Sequence, residues 1–159
     1  MIILGIDPGS RYCGYGILEL KKRTIIAAGC DVIRTSSQSP FTARLMLINK
    51  KIAEIIKDYK PDIGVVETIF YGKNIKSAFT LGHVRGAILL SFAQHNIETV
   101  EYSPREVKQS VVGNGNASKK QVEFMVKKIL NKDFGKVSSD AYDALAIALC
   151  HYNKIKYTL

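Results

Sequence analysis

The apolar positions change period along the chain, and those changes outline the elements. Ile2 to Ile6 is an apolar run, Gly14 to Leu20 follows a glycine-rich turn, and Thr24 to Ile33 follows Lys21-Lys22-Arg23, which predicts three closely spaced strands joined as hairpins. Pro40 then opens a segment whose apolar residues Phe41, Leu45, Ile48, Ile52, Ile55, Ile56 and Tyr59 recur at helical spacing up to Lys60-Pro61. Ile63 to Val66 reads as a short strand that delivers Glu67 at its end. A polar loop over Tyr71 to Asn74 precedes a long helix over Ile75 to His95, where Gly82 and Gly86 leave room for a neighbouring element. Ile97 to Glu101 is the fifth strand. Ser103-Pro104-Arg105-Glu106 and Ser118 to Gln121 have capping-box spacing and start two helices, the first ending at Gly113-Asn114-Gly115-Asn116. A last helix runs from Ser138-Ser139 to about His151, followed by a basic, loosely held tail from Lys154 to Leu159. The order implies a mixed sheet covered by helices rather than a purely parallel one.

With 159 residues, 47% of them hydrophobic, the chain fits one domain, taken as 1–153 with the tail 154–159 outside it. No apolar run is long enough to span a bilayer and the short apolar start lacks a basic leader, so a cytoplasmic protein with no membrane partner is expected. Cys13, Cys30 and Cys150 form no CxxC pair and read as reduced, small, buried residues. His83, His95 and His151 stand singly on helices and read as surface or packing residues.

The net charge of +9 favours a polyanionic partner. Most of the excess falls between Thr68 and Lys132, which hold ten Lys or Arg against four acids. A solvated set of helix faces would show the same run. Its clustering around polar loops makes Tyr71, Lys73, Asn74, Lys76, Arg85 and Lys120 candidate phosphate and DNA contacts.

Four carboxylates carry the candidate chemistry. Asp7 and Glu67 each follow a buried strand directly, at the carboxyl edge where α/β sheets place ligands. Asp140 and Asp143 share a face at the start of the last helix, beside Ala141, Ala144 and Ala146, which permit close approach. Each has an ordinary alternative: an Asp in a turn caps backbone N–H groups, and acids in a first helical turn complement the helix dipole. If the two strands are neighbours, the four acids meet at one edge, and a divalent cation is the simplest relief of their repulsion. All-oxygen ligation suits magnesium or manganese. Two such ions about 4 Å apart can activate water and stabilise the leaving oxygen of a phosphodiester, so no protein nucleophile is needed.

Ile6-Asp7-Pro8-Gly9, Glu67-Thr68-Ile69-Phe70 with Lys73-Asn74, Val107-Lys108-Gln109-Ser110-Val111-Val112-Gly113, and the run Asp140 to Ala148 with both aspartates together resemble the RuvC family of Holliday junction resolvases, from Met1 to about His151. The resemblance implies an RNase H-like α/β fold: a five-stranded mixed sheet, its first three strands antiparallel, with helices on both faces. It implies a crossover junction endodeoxyribonuclease that nicks paired strands of like polarity in recombination and repair. It further implies that Asp7, Glu67, Asp140 and Asp143 hold two magnesium ions, with manganese able to substitute, and that Lys108 and Lys119 approach the cut phosphate. Phe70 would stack on a base near the junction point, although it could equally plug the core. Four-way junction DNA, a homodimer joined through the long helix, and the RuvA and RuvB branch-migration proteins are the implied partners. Two other readings start from the same residues: an actin-like ATPase using Asp7 with magnesium and nucleotide, which needs a second such domain, and an RNase H-like module that binds nucleic acid without cutting it.

Overall fold

The computed structural model describes residues 1–69 and 75–158, without the side chains of 157 and 158. The elements in chain order are β1 (Ile2–Asp7), β2 (Tyr12–Lys21), β3 (Thr24–Arg34), α1 (Phe41–Tyr59), β4 (Ile63–Glu67), α2 (Ile75–Gln94), β5 (Glu98–Tyr102), α3 (Pro104–Val112), α4 (Lys119–Leu130) and α5 (Ser139–Thr158). The five strands form one sheet in the order β3-β2-β1-β4-β5. β1, β2 and β3 pair antiparallel, whereas β4 and β5 run parallel to β1. This is the mixed sheet that the pattern implied.

Alternation along the strands divides the core into two layers. Ile3, Leu18 and Val65 face α3, α4 and α5, while Leu4, Ile6, Ile17 and Val66 face α1 and α2. A buried β1 supplies both faces at once, which is why its sequence is continuously apolar. The β2–β3 hairpin turns on two residues, Lys22 and Arg23, both with positive φ, 48° and 66°. α1 ends on Lys60 in the left-handed conformation, its N–H donating to the Ile56 carbonyl. α3 and α4 each carry a complete capping box, Ser103 with Glu106 and Ser118 with Gln121.

Three expectations need correction. The last helix does not end near His151 with a loose tail: α5 continues through Thr158, because Ile155 packs on the core and Lys154 bonds Glu106 at 3.1 Å. The approach expected at Gly82 and Gly86 is met only by the Ile69 side chain at Gly82, and among the described residues nothing comes near Gly86. Cys13 and Cys150 are buried and Cys30 only partly so; all three are free thiols. Among the described residues, no helix is long and apolar enough to cross a membrane.

Candidate active site

The sheet register makes the first two acids neighbours. Ile6 pairs with Val66 across parallel β1 and β4, so Asp7 and Glu67, the next residues, end adjacent strands at the same edge. The other two acids arrive on α5, and their position depends on small residues. Gly5, Gly14 and Gly16 lie beneath α5, and a Cβ on Gly14 would overlap the Asp140 carbonyl. Gly14 also pairs directly with Asp7. The absence of a side chain there lets the first turn of α5 settle against the strand edge.

As a result, Asp7, Asp140 and Asp143 each offer a carboxylate oxygen within 4.8 Å of the others. Glu67 lies outside that triad but lines the same cavity of about 170 Å³, together with Asp7, Asp143, Lys108 and Lys119. Pro104, Val107, Val122 and Ala146 form its apolar wall. Lys108 comes from the middle of α3 and Lys119 is the first residue of the capped α4, and both line the cavity with the acids. The Lys119 ammonium donates to Asp143 at 2.6 Å and lies 3.5 Å from Asp140. The Ser138 hydroxyl donates to Asp140 at 2.8 Å.

The electrostatics follow from burial and crowding. Loss of water, then the charges of Asp143 and Glu67, push Asp7 up to about 8. Burial and Asp143 push Glu67 up to about 7, against the pull of Lys119 and Lys108. Burial also raises Asp143, despite its bond from Lys119. Burial opposes the charge on Lys119, but its hydrogen bond to Asp143 and the nearby acids hold it above the usual lysine range. A site that resists its own negative charge is matched to a cation, and its donors are all oxygen. The carboxylates fit a hard divalent ion.

The structure therefore brings Asp7, Glu67, Asp140, Asp143, Lys108 and Lys119 together. Arg85 is not among the residues lining that cavity: it forms an ion pair with Glu101 that ties α2 to β5. Lys76 and Lys120 are exposed at the starts of α2 and α4. Phe70, Tyr71, Lys73 and Asn74 lie outside the described residues. The histidines stay away from the acids, His83 and His95 bonding carbonyls one turn back and His151 buried against the Tyr102 hydroxyl at 2.9 Å. Sequence reasoning missed Gly14 and Ser138. The small residues at Ala141 and Ala144 were the available signal for Gly14, since a helix face made small implies a close partner.

Comparison with known proteins gives a consistent picture. A family model described as crossover junction endodeoxyribonuclease RuvC matches residues 3–151. The crossover junction endodeoxyribonuclease RuvC of Chloroherpeton thalassium is 47% identical over 154 residues, covering 97% of this chain and 83% of that protein. Its counterpart from Natranaerobius thermophilus is 44% identical over 151 residues, covering 95% and 94%. The structure of T. thermophilus RuvC in complex with a Holliday junction substrate superposes with a TM-score of 0.88 at 31% identity, covering 98% of this chain and 95% of that one.

Proposed function

Because this chain belongs to the crossover junction endodeoxyribonuclease RuvC family, we propose that it resolves four-way DNA junctions by hydrolysing phosphodiester bonds in a pair of strands of like polarity, in recombination and repair. The observation that carries the reading is the meeting of Asp7, Asp140 and Asp143 within 4.8 Å, with Glu67 on the wall of the same cavity. The chain acts as one catalytic domain in the cytoplasm, with α5 through Thr158 part of it.

Asp7, Glu67, Asp140 and Asp143 would hold magnesium, two ions per site, with manganese able to replace it. Bound there, the metal would supply Lewis acidity and a water of lowered pKa for in-line displacement at phosphorus. The protein residues supply the rest. Burial raises Asp7 to about 8 and Glu67 to about 7, so both would be held as carboxylates only with a cation to balance them. Lys119 orients Asp143 and Asp140, and with Lys108 it places positive charge where a scissile phosphate gains charge. Val107, Val122 and Ala146 exclude water from one side. Phe70 stacks on a base beside the cut, with Tyr71, Lys73, Asn74, Lys76 and Lys120 along the DNA.

Symmetric cutting requires two such sites about a twofold axis. We assign the partner surface to α2, where Ile75, Phe79 and Leu90 are 69%, 67% and 55% exposed on one stripe with Gly82 and Gly86. Family membership extends the assignment to transient association with the RuvA and RuvB proteins. The test incubates a labelled four-way junction and a matched linear duplex with magnesium, with EDTA, and with Asp7→Asn. Paired nicks on the junction alone, lost with EDTA and in the variant, are expected. Tight junction binding without nicks under any divalent metal would overturn the reading and leave a non-cleaving binding module.

A further inference from the structure

The cations assigned so far approach the acids from α3 and α4, yet the same edge of the sheet carries a second basic surface beyond β2. Tyr12 opens β2 and pairs directly with Arg34, at the end of β3. The two side chains therefore share a face, with Cβ atoms about 5 Å apart. Alternation identifies that face. Gly14, two residues after Tyr12, abuts the Asp140 carbonyl of α5, and residues two apart in a strand project to the same side. Tyr12 and Arg34 thus stand on the face from which α5 delivers Asp140 and Asp143. They lie roughly 7 Å along the strand from the Gly14 that pairs with Asp7, a step on the order of one or two phosphates.

Arg11 immediately precedes this pair, and all three side chains are exposed, Tyr12 by 49%. Among the described residues neither guanidinium is engaged in an ion pair. Their backbone, by contrast, is tightly held. The Thr35 N–H donates to the Arg11 carbonyl at 3.0 Å, and the Thr35 hydroxyl donates to the Ser10 carbonyl at 2.6 Å. A fixed turn that carries an exposed aromatic ring and an exposed cation on the α5 face, with the exposed Arg11 next to them in the chain, is preorganised for a polyanion.

We propose that Arg11, Tyr12 and Arg34 form a DNA-strand subsite on the β1–β2 turn side of the carboxylates. The two guanidiniums hold phosphates and the tyrosine ring packs against a base or sugar, so that Lys108 and Lys119 on one side and this trio on the other grip the strand across the cut. The subsite rests on the junction-cleavage reading above. Its test measures binding of a labelled four-way junction in EDTA, where nothing is cut, over a salt series, with nicking in magnesium run in parallel.

Arg11→Gln and Arg34→Gln should each weaken binding at least threefold and flatten the slope of log affinity against log salt by about 0.9. Tyr12→Ala should weaken it about fivefold or more without changing that slope, and Tyr12→Phe should restore it. Lys57→Gln/Lys60→Gln removes twice the charge of either arginine variant at the opposite edge of the sheet, before β4, and should leave the slope alone. Wild-type nicking with Arg11→Gln and Arg34→Gln slopes no different from the Lys57/Lys60 control would overturn the subsite only. A wild-type protein that neither binds nor nicks the junction would overturn both readings.

Discussion

Burying four acids together destabilises the metal-free protein, and Asp7→Asn should expose the size of that effect. Asp7 rises from 3.8 to about 8, so its neutral form is favoured in the fold. For a group raised in this way, the stabilising contribution is complete below the unfolded value and is lost as pH climbs through the folded one. In EDTA the wild type should therefore lose stability between about pH 4 and pH 8, and the Asp7→Asn variant should lose none of this part. At about 1.4 kcal/mol per pH unit the full displacement would reach several kcal/mol in an unyielding site. Water entry relieves much of that, leaving about 2 kcal/mol, or about 6 °C in melting temperature for a chain of this length. Thermal melts by circular dichroism in EDTA should show near-equal stability at about pH 5 and the variant ahead by about 6 °C at about pH 9. Magnesium should reverse the order, because ligand at a hundredfold its Kd adds about 2.7 kcal/mol to the protein that binds it. A variant no more stable than wild type in alkaline EDTA, or a gap that does not widen with pH, would refute the claim that buried like charges define this site.

Other outcomes follow from named contacts. Lys119→Met removes a charge that lowers Glu67 and Asp143, so the acid limb of the nicking-rate profile should move to higher pH; an unmoved limb would show that Lys119 does not set their protonation. Gly14→Ala drives a methyl into the Asp140 carbonyl and should cost about 3 kcal/mol in denaturant melts, with cleavage falling further than stability as α5 is displaced. Ser118→Ala removes the side-chain acceptor of the α4 cap and should lower stability by about 1 kcal/mol by the same melts. Phe79→Asp places a charge on the apolar α2 stripe and should convert a dimer to a monomer in light scattering; a mass unchanged from wild type would move the interface elsewhere.

Much of the molecule was legible before any fold was known, because period and punctuation are local properties. The two capping boxes at Ser103 and Ser118 set helix starts that the structure reproduces, and the apolar run of β1 ends where Asp7 begins to meet the edge. Residue type alone also restricted the chemistry, since carboxylates without a cysteine or histidine cluster point to a hard cation. Other features depended on partners distant in sequence. Nothing local distinguishes Arg85 from a phosphate-binding arginine; only the neighbouring strand β5, which brings Glu101 to it, makes it a tie within the fold. The length of α5 was decided in the same way, because Ile155 and Lys154 gain their packing and their bond to Glu106 from α3 and the core rather than from helix propensity. Whether four separated acids form one site was settled by register and close approach. β1 had to pair with β4 in step, and Gly14 had to lack a side chain so that Asp140 and Asp143 could reach Asp7. The sequence by itself determined which groups could do chemistry; the tertiary structure decided which of them meet, because charge and hydrogen bonding act over a few ångströms and only the fold creates those distances.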